Sequence, residues 1–100
     1  MNISNIYKNV TITNAEFIQV LTKLHYQKKD VGENYVFANN KYNSIVILPI
    51  KPMSEPVQKV HLATYTFRLF LQGVIKQEDD IIKMVEKSRI KQKEKEKQEV

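Results

Sequence analysis

The chain has 100 residues, of which 42% are hydrophobic, with 2 Gly, 3 Pro and 0 Cys; this fits one globular domain and excludes a disulfide framework or a thiolate metal site. The net charge of +5 is uneven, because Met1 to Val74 holds 8 Lys/Arg against 4 Asp/Glu while Ile75 to Val100 holds 8 against 7, so the basic part is the folded part and an acidic polymer is a natural partner. Two widely separated histidines make no zinc signature, no apolar run reaches the roughly 18 residues of a bilayer span, and no basic-then-apolar leader opens the chain, so a cytoplasmic protein with no metal, no cofactor and no membrane partner is expected.

Met1 to Ile12 reads as an N-terminal arm or, at Val10-Thr11-Ile12, as an edge strand. Thr13-Asn14-Ala15-Glu16 fits a capping box, and Phe17, Val20, Leu21 and Leu24 follow at helical spacing, predicting a short helix laid on a core. After His25 the pattern changes to three short strand-like runs: Tyr26 to Lys29, Asn34 to Ala38 and Ser44 to Ile50. Gly32 and the Asn-rich stretch 39–43 supply the turns between them, because both residue types tolerate a left-handed backbone. An antiparallel meander is the simplest arrangement. Ile45-Val46-Ile47-Leu48 is apolar on both faces, which predicts the central or most covered strand. Pro49, Pro52 and Pro56 end the sheet. A second helix is predicted over about Gln58 to Gln72, with Val60, Ala63, Phe67, Phe70, Leu71 and Val74 closing the core against the sheet. Gly73 marks its end. Glu78-Asp79-Asp80 suits the start of a third helix carrying Ile81, Ile82, Val85 and Ile90. From Lys87 the chain becomes a Lys/Glu/Gln tract, expected to be a solvated, fraying helical extension.

This order predicts an α+β fold: a three-stranded antiparallel sheet with helices on one face (α-β-β-β-α) and an extra C-terminal helix. The expected divisions are an arm over 1–12, the main domain over 13–75 and the C-terminal helix over 76–100. Over roughly Ala15 to Ile75, the segments Phe17...Leu21-Thr22-Lys23-Leu24-His25-Tyr26, Gly32-Glu33-Asn34-Tyr35-Val36-Phe37, Ile47-Leu48-Pro49 and Arg68-Leu69-Phe70-Leu71-Gln72-Gly73-Val74 resemble the HicA family of toxin-antitoxin proteins. That resemblance implies a double-stranded RNA-binding-domain-like fold, RNA as ligand, messenger-RNA cleavage and neutralisation by a HicB-like antitoxin. The family's strand motif is glycine, serine, histidine. Here Gly32 matches, Glu33 takes the serine position and Asn34 takes that of the catalytic histidine. An amide does not titrate near neutrality, so Asn34 can orient a phosphate or ribose hydroxyl but cannot relay a proton. The expectation is an RNA-binding relative without the family's ribonuclease chemistry.

Lys23, Lys28, Lys29, Lys41 and Lys51, with Gly32 and Asn34, are the candidate RNA contacts, through shape-led binding to phosphate. Tyr26, Tyr35, Phe37 and Tyr42 are candidates for base stacking, but alternation sets Tyr35 and Phe37 on one face, where Phe37 reads as core. His25 reads as a helix C-terminal cap and His61 lies near the start of the second long helix; an active ribonuclease using His25 or His61 is the minor alternative. Leu62, Tyr65 and Leu69 form a second apolar strip on the long helix. They are expected either to lie under the C-terminal helix or to dock a partner chain or a second copy of this one.

Overall fold

The structure, a computed structural model, describes residues 3–98, with their side chains over 5–93. A 3-10 helix over Ile3–Tyr7 leads to α1 (Asn14–Lys23), the strands β1 (Gln27–Val31), β2 (Asn34–Asn39) and β3 (Ser44–Pro49), then α2 (Lys59–Leu71) and α3 (Asp80–Gln98). The fold is α+β, with one helix before the strands and two after them, and the sheet is the predicted antiparallel meander in the order β1-β2-β3.

Both ends of α1 are closed by groups its sequence supplies. The Thr13 hydroxyl accepts from the Glu16 N–H at 3.2 Å and the Glu16 carboxylate accepts from the Thr13 N–H at 3.0 Å, which completes the capping box. Two further first-turn donors, the N–H groups of Asn14 and Ala15, reach the carbonyls of Glu55 and Met53 at 2.9 and 3.0 Å. The Asn14 amide also donates to Pro52 O and Glu55 O, so the proline-rich loop is stapled to the start of α1. At the other end the Tyr26 N–H returns to Leu21 O and the His25 N–H to Thr22 O, both at 3.0 Å. This is a Schellman closure with His25 in the left-handed position, at φ 69. His25 therefore ends the helix through its backbone.

The β1–β2 connection is the two-residue turn Gly32-Glu33, with positive φ on Gly32 alone, as a type II′ hairpin requires. Register divides the strands into two faces. Tyr35, Phe37 and Asn39 of β2 and Ser44, Val46 and Leu48 of β3 point inward, and Phe37, Val46 and Leu48 are buried. Val36, Ala38, Ile45 and Ile47 point outward. The expectation that β3 is the central or most covered strand is overturned: β2 is central, β3 is an edge strand, and Ile45 and Ile47 stay half-exposed.

The face of α2 is also corrected. Leu62, Thr66 and Leu69 are fully buried, so the second strip forms the core; of the strip predicted to close it, Phe70 and Val74 pack partly buried at its edge, whereas Val60, Phe67 and Leu71 are exposed. Leu62, Tyr65 and Leu69 thus offer no free docking surface. Part of their cover comes from α1 and the N-terminal segment. The Tyr65 ring stacks on Phe17 of α1 at 5.4 Å, and the Tyr7 hydroxyl of the N-terminal segment meets the Thr66 hydroxyl at 2.5 Å. Tyr7 and Ile12 are fully buried, so residues 5–12 are an ordered arm built into the core, without a strand at 10–12.

α3 packs on α1 instead. Ile81 and Val85 are buried, Ile90 is exposed, and the Arg89 guanidinium grips the Glu16 carboxylate at 2.6 and 2.9 Å and Thr11 O at 2.7 Å. Lys23 Nζ donates to Ser88 Oγ at 2.8 Å, a second tie between the helices. The side chains of the tract expected to fray lie, from Glu94 on, outside the described residues.

Candidate nucleic-acid interface

The meander has two ends roughly 20 Å apart, the length of six extended residues. One is the hairpin end, where the Ile50 N–H donates to Glu33 O at 2.9 Å and Asn34 stands opposite Pro49. The other is the loop end, where the Asn39 amide donates to Leu24 O at 2.9 Å and Ser44 Oγ joins Gln72 Oε1 at 2.5 Å. α2 runs between them: His61 lines a narrow crevice with Leu48, Pro49 and Lys51, while Gln72 lies beside Ser44.

This geometry sorts the residues singled out in the sequence. Gly32, Asn34, Lys51 and His61 gather at the hairpin end, with Pro49 common to the crevice holding Lys51 and His61 and to an open concavity of about 500 Å³ lined by Gly32, Glu33, Asn34 and Ile50. His25 and Lys41 are at the loop end, so the two histidines do not converge. Lys23 is engaged with α3. On β1 alternation separates Lys29, on the outer face, from Lys28, whose Nζ lies 4.4 Å from the Tyr35 ring centroid and 3.9 Å from Asp30. The five lysines thus do not form one edge-following track. Nor do the aromatics form a stacking platform: Tyr26 and Phe37 are buried, and Tyr35 faces inward.

The hairpin end also holds a feature that residue types alone do not reveal. α2 starts at Gln58 without a side-chain cap and without an acidic residue in its first turn. Among the described residues nothing accepts from the N–H groups of Lys59 and Val60. Those donors and the positive end of the helix dipole sit beside Lys51 and His61. The start of α1 differs, since the loop carbonyls occupy its donors. Glu33 adds one carboxylate on the opposite side of Pro49, so the α2 side is the more favourable for an anion.

Acid–base capacity at this end is limited. The Tyr65 phenol, which lines the crevice, is pushed above its ordinary value of 10.0 by burial and donates to Ile47 O at 3.0 Å, so it stays protonated. Asn34 is exposed and carries an amide. The arrangement can therefore hold a phosphate through Lys51, His61 and backbone donors, and offers hydrogen bonds from Asn34, with His61 as its one imidazole. Among the described residues no cluster of His, Cys, Asp or Glu could hold a metal ion, and no helix is long and apolar enough to cross a membrane. Comparison with protein-family models, with curated proteins and with solved structures finds no match to this chain.

Proposed function

We propose that this chain is an RNA-binding protein of the HicA-like toxin-antitoxin type, which holds RNA at the hairpin end of its sheet without histidine-dependent cleavage from the Asn34 position. The observation that carries the reading is the gathering of Gly32, Asn34, Lys51, His61 and the uncapped start of α2 around Pro49. Phosphates of the RNA backbone sit against Lys51 and the α2 N-terminus, and the Asn34 amide meets a ribose hydroxyl or phosphate oxygen at the mouth of the concavity. Cleavage needs a proton taken from the attacking hydroxyl, and an amide cannot take it. The partner implied by the same reading is a HicB-like antitoxin.

The test is a salt titration of RNA binding with a cleavage assay on the same samples. Lys51→Glu is expected to weaken binding and flatten its salt dependence by about one counterion, while Lys41→Glu at the far end leaves both nearly unchanged. Asn34→His is expected to keep binding and to gain cleavage. Absence of salt-sensitive RNA binding by the parent protein would sink the proposal. Cleavage by the parent that disappears in His61→Ala would replace it with the active-ribonuclease reading. A second reading, a protein-interaction module, is favoured by one observation only: the apolar outer face of the sheet.

A further inference from the structure

Every helix packs on the inner face of the sheet or on another helix, and nothing among the described residues covers the outer face. Register places Gln27, Lys29 and Val31 of β1 there, beside Asn34, Val36 and Ala38 of β2 and Ile45, Ile47 and Pro49 of β3. Val31, Ile45 and Ile47 are 50%, 54% and 53% exposed, high for β-branched residues in the body of a sheet. An antiparallel sheet that leaves one face to water alternates apolar with polar residues, and β3 does not. Lys29 is the one charged residue on the face. We propose that this face, short of its hairpin end at Asn34 and Pro49, is the contact surface for a second copy of the chain, the two sheets stacked about a two-fold axis that runs along the strands and leaves both hairpin ends free.

Shape, area and charge select that occupant. A three-stranded face is broad and nearly flat, and the surface that matches it is another sheet face about 10 Å away. Three strands at ~4.8 Å spacing and five residues at ~3.4 Å, short of the Asn34 end, give a footprint of about 250 Å². Side-chain relief raises this to roughly 500 Å² of accessible surface per copy, or about 1,000 Å² in total, the least that a specific interface should clear. The face has no carboxylate and one cation, so a strongly charged partner gains little on it. It has no aromatic ring, so it offers no stacking platform for bases. A two-fold axis along the strands sets β1 of one copy over β3 of the other. Each Lys29 stem then lies across the Ile45/Ile47 row of the other copy with its ammonium at the rim, more than the ~8–10 Å Debye length from its twin.

Sedimentation equilibrium of the whole chain, from about 5 to about 200 µM, tests this. The mass is expected to rise towards two chains with concentration. Ile45→Lys and Ile47→Lys should each weaken self-association at least tenfold with unchanged circular dichroism, because neither side chain takes part in the monomer's core. Phe67→Lys, on the exposed strip of α2, should leave association intact. A single-chain mass throughout the range would overturn the proposal. So would a dimer that survives both isoleucine substitutions, or one that only Phe67→Lys disrupts, since the contact would then lie on α2.

Discussion

His25 and Gly73 hold the same place in two copies of one closure, and exchanging their chemistry gives a stringent test of the helix ends. At the end of α2 the Gly73 N–H returns to Phe70 O at 3.1 Å and the Val74 N–H to Leu69 O at 3.0 Å, matching the bonds at the end of α1. Both residues lie in the left-handed region, at φ 69 and φ 77, but only Gly73 does so without a Cβ. A left-handed backbone costs an L-residue about 1–2 kcal/mol, while glycine adds about 0.5–1 kcal/mol of unfolded-state entropy. His25→Gly is therefore expected to stabilise the protein by about 0.5–1 kcal/mol. Gly73→Ala is expected to destabilise it by a similar amount: a Cβ at Gly73 has no atom within 4 Å, which leaves backbone strain as the whole cost. Urea unfolding followed at 222 nm checks both, as opposite shifts in midpoint at constant m-value. The two sites share no hydrogen bond, so the double variant should fall near the parent. A His25→Gly protein no more stable than the parent would refute the reasoning, because strain at φ 69 would then be compensated by contacts of the imidazole.

Other expectations concern the core and the α1–α3 contact. Arg89 holds the Glu16 carboxyl below its ordinary value of 4.5, aided by hydrogen bonds from Thr13 against the opposing effect of burial. The folded-state value is thus depressed, so the contribution of Glu16 is full above about pH 4.5 and disappears as pH falls through the folded value. Glu16→Gln should cost about 1–2 kcal/mol at neutral pH, and the gap from the parent should close on acidification in urea titrations at several pH values. Tyr7→Phe strands the buried Thr66 hydroxyl and should cost about 1–3 kcal/mol, part of which returns in Tyr7→Phe/Thr66→Val, as a double-mutant cycle by thermal unfolding would measure. Leu62→Ala should cost about 2–5 kcal/mol and Phe67→Ala within about 0.5 kcal/mol; the reverse order would restore the packing face that periodicity alone suggests.

Local signals carried the elements. Thr13 to Glu16 specified a cap whose every bond is short-range, Gly32 and Gly73 marked backbone that needs positive φ, and the strand runs matched the sheet to within two residues. Three-dimensional cover was harder to read. α2 has apolar residues on both sides, so its period fits either face, and the choice was made by Tyr7, Phe17 and Ile12, which lie far away in sequence. β3 misled for a related reason: an all-apolar strand implies cover on both faces, and the chain's own elements cover one. At the candidate site, Asn34 and Lys51 were legible as residue types. Their meeting with His61 depends on the path of the proline-rich loop, and the free donors of α2 depend on Gln58 making no cap.

The stacking of Tyr65 on Phe17 has a consequence for how the chain is made. Phe17 leaves the ribosome with α1 and the strands that follow, but the ring that covers it is synthesised about fifty residues later, at roughly 2–10 s for ordinary elongation rates. Tyr7 waits a similar interval for Thr66, and Glu16 still longer for Arg89. The nascent chain therefore carries its N-terminal apolar surface open until α2 emerges, and the order of synthesis runs against the order of closure.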